Sequence, residues 1–203
     1  MAHTAKVVLH NLSKVFGSQE AVKDLNLEVA NGEFVCLLGP SGCGKTTTLR
    51  MIAGVESPTT GSIYFDDKLV NDLTPAERDI AMVFQFYALY PGMTVLENLA
   101  FPLQQRKLPK DEIKKTVREV AERLGISEVL NEKTTRLSVD VKQRVALGRA
   151  MVRKPKVYLL DEPLTNLDAR LRGTMRAELK KLQDELGQTM IYVTHDQLEG
   201  MTM

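Results

Sequence analysis

Residues 35–52 read VCLLGPSGCGKTTTLRMI. A short apolar run, Val35 to Leu38, stops at Gly39. A glycine-rich turn follows, then Lys45, three threonines and the helical spacing Leu49, Met51, Ile52. This is G-x-x-x-x-G-K-[ST] with a strand before it and a helix after it. Gly39, Gly42 and Gly44 let the backbone turn tightly, so that successive N–H groups face one concavity fit for an anion. The helix starting near Lys45 adds the positive end of its dipole. Lys45 supplies a mobile charge for terminal phosphates, and the Thr46 hydroxyl is placed to ligate Mg²⁺. The stretch predicts a nucleotide-phosphate site.

The rest of the composition narrows the class. The chain has 203 residues, 43% hydrophobic and 26% charged, with 27 Lys+Arg against 26 Asp+Glu and a net charge of +1. No basic excess points to nucleic acid, and 5% aromatic content without Trp gives no stacking platform for single strands. No run of 18 apolar residues suggests a membrane span, and MAHTAK lacks the apolar core of a signal peptide. Cys36 and Cys43 fall in the strand and in the loop, neither placed as a staple, which fits a reducing cytoplasm.

Outward from the loop, residues 6–12 and 24–30 alternate as strands, with Leu25, Leu27 and Val29 on one face. Asn31-Gly32 predicts a hairpin turn into the strand at 33–38. Phe16 beside Gly17 reads, taken alone, as a core or turn aromatic. A strand around Ser62–Phe65 follows, then a short helical turn opened by Pro75. IAMVF at 80–84 is uniformly apolar, as in a parallel strand buried on both faces. Residues 86–153 change character. An aromatic, proline-broken loop leads to a capping-box start at Thr94 and Glu97. An amphipathic helix is predicted from Pro109 to about Leu124, and another from about Ser138 to Arg153. KVYLLDE at 156–162 is again a buried strand. A helix over about 168–186 and a strand over 189–193 complete an α/β core with a helical insertion.

Chemistry gathers at strand ends. Asp161-Glu162, Gln85 and His195 each follow an apolar strand, and carboxyl ends of strands in a doubly wound sheet face the ligand crevice. Downstream of a phosphate loop, the first acid suits Mg²⁺ and the second suits activation of a water.

GPSGCGKTT, Gln85, VYLLDEP, LTNLD and THD stand in the order found in ATP-binding-cassette (ABC) ATPases. RDIAMVFQ, MTVLENLAFPL, QRVALGRA and IYVTHDQLEGMTM more closely resemble the ATP-binding subunits of carbohydrate importers of the maltose/multiple-sugar type. The resemblance covers essentially the whole chain. It implies an α/β fold with a P-loop NTPase (RecA-like) core, an antiparallel β subdomain and an inserted helical subdomain. Residues 1–87 and 154–203 would be the core and β subdomain, 88–153 the helical part, all in one nucleotide-binding domain. It implies ATP and Mg²⁺ as cofactors. Phe16 would stack on adenine, which replaces its reading as a core aromatic. Gly39, Pro40, Ser41, Gly42, Cys43, Gly44, Lys45, Thr46 and Thr47 would wrap the phosphates. Thr46, Gln85 and Asp161 would serve Mg²⁺, and Glu162, His195 and Gln85 would be catalytic. Asn166 and Asp168 would lie in the loop that meets a second monomer. Residues 86–101 would form a groove for transmembrane permease subunits. The implied partners are these, a head-to-tail dimer mate (the same chain or a paralogue) and, indirectly, a sugar-binding protein. The implied place is the cytoplasmic face of the cell membrane.

Two departures stand out. The family carries L-S-G-G-Q before QRVALGRA; this chain has Leu137-Ser138-Val139-Asp140-Val141. In the family that helix start caps the γ-phosphate held by the opposite monomer. Asp140 sets a carboxylate there, and Val139 a β-branched side chain. Folding and monomer binding should survive, while dimer closure and hydrolysis should suffer. The chain also reaches only to Met203, where the family continues with more of the core sheet and a regulatory domain; without them one edge of the core would stand open. The readings weighed are an importer ATPase, a module that binds ATP but barely turns it over, and a soluble DNA-repair or translation ATPase. The neutral charge and the lack of a long heptad arm speak against the third.

Overall fold

The computed structural model describes residues 4–165 and 167–203, leaving aside the side chains of Leu171, Leu182 and Leu186. Two four-stranded sheets organise them. The first is antiparallel, in the order β2-β1-β4-β5: β1 is Val7–Phe16, β2 Gln19–Val29, β4 Thr60–Phe65 and β5 Lys68–Leu69. The second is parallel, in the order β3-β8-β7-β6: β3 is Phe34–Leu38, β6 Ile80–Val83, β7 Val157–Asp161 and β8 Thr189–Thr194. Six helices surround them: α1 (Lys45–Ala53), α2 (Val95–Gln105), α3 (Lys110–Arg123), α4 (Val139–Met151), α5 (Ala169–Leu186) and α6 (Gln197–Thr202).

The period of two along β7 and β8 explains why these strands are apolar throughout. Val157, Leu159, Ile191 and Val193 join one cluster with Leu49, Met51 and Ile52 of α1 and the inner face of the antiparallel sheet. Their alternates, Tyr158, Leu160, Met190 and Tyr192, join a second cluster with α2, α3, α4 and Met175 and Leu179 of α5. Asp161 continues the parity of Val157 and Leu159, so its carboxylate emerges on the face that carries α1.

One local expectation is corrected. The Asn31-Gly32 turn does not make a hairpin, because β2 and β3 belong to different sheets. Gly32 donates its N–H to Thr189 Oγ1 (3.0 Å) and accepts from Gln183 Nε2 (2.9 Å), and β3 runs parallel to β8. Segment 75–79 forms the short turn expected there, with the N–H groups of Glu77 and Arg78 both donating to the Thr74 carbonyl. The Glu77 carboxylate accepts from the Thr74 N–H and hydroxyl, Arg78 is drawn into the interior, and Asp79 turns left-handed at φ 52°. The capping box at Thr94 and Glu97 forms as expected, with bonds of 2.7 and 3.2 Å.

Candidate active site

The phosphate loop leaves β3 and enters α1 through Gly44, whose φ of 92° is left-handed. A Cβ at Gly44 would lie 2.4 Å from the Ala21 carbonyl oxygen, so only glycine lets the loop seat against β2. The Lys45 ammonium crosses the loop and donates to the carbonyls of Gly39 (2.6 Å) and Pro40 (2.8 Å), with Cys43 Sγ at 3.7 Å. A cavity of about 460 Å³ opens here, lined by Phe16, Ser41, Gly42, Gly44 to Thr47, Gln85 and Glu162. Phe16 presents a half-exposed ring at its rim, with Lys14 Nζ 4.8 Å from the ring centre.

Thr46 and Asp161, 115 residues apart, meet at 2.9 Å, the hydroxyl donating to the carboxylate. Burial raises the Asp161 pKa and the adjacent Glu162 adds to it; the Thr46 hydrogen bond, Arg50 and Lys45 pull the other way. A hydroxyl, a carboxylate and the side-chain oxygen of Gln85 are hard donors of the kind Mg²⁺ takes. No group of three or more His, Cys, Asp or Glu is arranged to hold a metal among the described residues.

Three segments converge on one oxygen. Glu162 Oε2 accepts from Thr165 Oγ1 (3.2 Å) and Gln85 Nε2 (3.4 Å), and His195 Nδ1 lies 3.1 Å away. The parallel register sets this: β6, β7 and β8 end side by side, so the residues after them share one edge. Glu162 itself sits at φ 46°, a left-handed conformation unusual for a side-chain-bearing residue, and its N–H bonds to the Val193 carbonyl at 3.0 Å.

Other expected residues lie apart. Ser138, Val139 and Asp140 open α4 and do not line this cavity. Asp168 is exposed just before α5, and Asn166 falls outside the described residues. The structure adds Thr165, legible in sequence only as a hydroxyl three residues past Glu162, and Gln143, a buried side chain that bonds from α4 to the Pro163 carbonyl. Of the remaining concavities, one of about 570 Å³ is lined by Phe84, Tyr90, Phe101, Arg149 and Arg153. Another, about 730 Å³ along α5, holds none of the strand-end residues, and its Lys180 and Lys181 pair with Asp184 and Glu185.

A phosphate loop after β3 of a parallel sheet, with acids at the end of β7 beyond the intervening β8, defines an α/β domain with a P-loop NTPase core. The ABC transporter family profile matches residues 22–165, more than half of the chain, and the chain belongs to that family. It is 64% identical over 205 residues to the trehalose/maltose import ATP-binding protein MalK of Thermococcus litoralis, covering 98% of this chain and 55% of that one. It is 57% identical to the sn-glycerol-3-phosphate import ATP-binding protein UgpC of Brucella abortus, covering 98% and 57%. A dimeric ATP-binding cassette solved in a post-hydrolysis state with ADP and phosphate superposes with a TM-score of 0.85 at 35% identity, covering 97% of this chain and 90% of that one. The chain thus spans little more than half the length of these two curated relatives. No helix among the described residues is long and apolar enough to cross a membrane.

Proposed function

We propose that the chain is the ATP-hydrolysing part of a carbohydrate importer, one ABC-type nucleotide-binding domain over residues 1–203. The observation that carries the reading is the meeting of Gln85, Thr165 and His195 on Glu162 Oε2, beside Lys45 and the Thr46–Asp161 pair. Residues 39–47 receive the phosphates, and Lys45 exchanges the Gly39 and Pro40 carbonyls for phosphate oxygens. Phe16 offers its free face to the base. Thr46, Asp161 and Gln85 would hold Mg²⁺, which when bound neutralises charge on the phosphates. Glu162 takes a proton from the water that attacks the γ-phosphorus, as the bond to the bridging oxygen breaks. Thr165, Gln85 and His195 keep that carboxylate aimed, and His195 reaches toward the γ-phosphate.

The groove beside Tyr90 and Phe101 suits a segment of a membrane permease. Its lining joins Phe84, Tyr90 and Phe101 to Arg149 and Arg153. On this reading the working protein acts at the inner face of the membrane, paired with a second cassette and served indirectly by a sugar-binding protein. The trehalose/maltose relative at 64% identity supports a sugar cargo, while the relative at 57% is named for sn-glycerol-3-phosphate; neither name lends anything to a binding-only module. Hydrolysis of MgATP by the purified chain, against a Glu162→Gln blank, tests the reading. Turnover above the blank supports it, and equal rates sink it.

A further inference from the structure

We propose that Arg172 is a positioning residue that fastens the two segments flanking Glu162, and so sets the contact between Glu162 and His195. The inference rests on the assignment of those two side chains given above. Arg172 stands in the first turn of α5, and its guanidinium faces three ways. One terminal nitrogen donates to the Leu167 carbonyl at 3.0 Å, in the loop that carries Thr165. The other donates to Asp196 Oδ2 at 3.1 Å, one residue past His195. Nε lies 3.8 Å from Glu199 Oε1.

The far side of this fork is itself over-determined. Glu199 is 3% exposed, and its Oε2 accepts from Tyr192 Oη (2.8 Å) and Thr194 Oγ1 (2.6 Å). Thr194 Oγ1 accepts from the Asp196 N–H at 3.0 Å, and Asp196 Oδ1 accepts from the Leu198 N–H at 2.8 Å, capping α6. His195 therefore sits between two residues whose side chains are both bonded, while its own is exposed and touches Glu162. The near side carries Thr165, which bonds the same Glu162 oxygen. A planar fork with fixed donor angles can hold both segments at one spacing, which a lysine cannot. With Arg172 removed, Glu199 keeps two hydroxyl donors but loses its cation in a buried place, and the His195 turn loses its tie to the Thr165 loop.

The test reads the imidazoles. The chain has three histidines, so ¹⁵N-histidine spectra of the nucleotide-free protein are simple, with His195 assigned by His195→Asn. In Glu162→Gln the His195 nitrogen shifts move as the carboxylate contact is lost. Arg172→Met is expected to move them in the same direction, and Arg172→Lys to restore them only in part. Unmoved His195 shifts in folded Arg172→Met overturn the proposal; if that variant does not fold, wild-type shifts in Arg172→Lys do so instead. With turnover, Arg172→Met should lower kcat about tenfold to a hundredfold with little change in KM for ATP. It should also add nothing further in a His195→Ala background, and additive losses would overturn the proposal. Absence of turnover in the natural chain defeats the functional reading alone, and the imidazole shifts still decide the positioning.

Discussion

The Ser138 hydroxyl is donated to the carboxylate of Asp140, two residues further into α4. Ser138 occupies the N-cap position, yet its side chain caps no backbone N–H. At the helix start that the family resemblance sets against an opposing γ-phosphate, the one hydroxyl is therefore taken up by an anion of its own helix. That anion also meets any phosphate brought to the helix start. Two such charges about 5 Å apart, at an effective dielectric of about 20, repel by roughly 3 kcal/mol. Val139→Gly, Asp140→Gly and Val141→Gln together should raise MgATP turnover and tighten nucleotide-dependent dimerisation, by up to about a hundredfold for that energy. Nucleotide affinity of the monomer should stay as it is, since these residues lie away from the Lys45 cavity. Equal dimerisation by the natural and altered chains, measured by analytical ultracentrifugation with MgATP and Glu162→Gln in both, would sink the idea.

Asp161 is costly to hold charged where it is buried. Its pKa is raised, chiefly by burial. A carboxyl that binds its proton more tightly when folded contributes stability below its unfolded pKa and loses it as pH rises toward the folded value. At neutral pH the charged Asp161 thus destabilises the nucleotide-free protein. Asp161→Asn should raise its Tm by a few degrees at pH 7, with a smaller gain at pH 4. The same variant should lose the extra Tm that Mg²⁺ adds to ATP. A Tm that falls at pH 7 would contradict the burial argument.

Arg78 and Gly54 form a lock at the far end of α1. Arg78 is 3% exposed, and its guanidinium donates to the carbonyls of Met51 (2.7 Å), Ile52 (2.8 Å), Leu73 (3.0 Å) and Asn71 (3.0 Å). It satisfies the C-terminal carbonyls of the helix whose other end meets the phosphates. Gly54 is left-handed at φ 76°, and a Cβ there would come within 2.7 Å of Arg78 Nε. Arg78→Met should cost about 3 kcal/mol in urea unfolding, as several buried carbonyls lose their donor. Gly54→Ala should be destabilising too, and in the Arg78→Met background its cost should shrink, because the clash partner is gone. Strict additivity of the two would show that they act independently.

Much of this was legible in the sequence, for stated reasons. The phosphate loop announces itself because glycine spacing, Lys45 and Thr46 are local. The apolar runs of β6, β7 and β8 are legible because burial on both faces leaves no polar alternate. The meeting at Glu162 followed only from the rule that strand ends share an edge. Arg172, Arg78 and Gln143 were not legible. Each looks like an ordinary polar residue on a helix or turn, and only tertiary placement shows that its partners are buried carbonyls or carboxylates. The Asn31-Gly32 turn was misread for the same reason: its hydrogen bonds go to Thr189 and Gln183, more than a hundred residues away.

The loop that follows Gln85 is held against its own backbone preference. Tyr87 and Ala88 are both left-handed, at φ 62° and 46°. Such residues cost roughly 1–2 kcal/mol each relative to glycine's freedom. Arg149 of α4 opposes that cost by donating to the carbonyls of Ala88 (2.7 Å) and Tyr87 (3.3 Å), and its guanidinium carbon lies 5.1 Å from the Tyr90 ring centre. Asn98, fully buried, pins Tyr90 from the other side through its backbone N–H (2.9 Å) and carbonyl (3.1 Å). Ala88→Gly should therefore stabilise the protein by up to about 1 kcal/mol, the relief of strain less the added freedom of the unfolded chain. Arg149→Ala should instead speed amide exchange of residues 85–90 while leaving β7 and β8 protected. Placing Ala88→Gly on Arg149→Ala should recover part of that protection, because glycine needs less help to stay left-handed. Unchanged exchange in Arg149→Ala would mean that Asn98 and the groove floor hold the loop without the arginine.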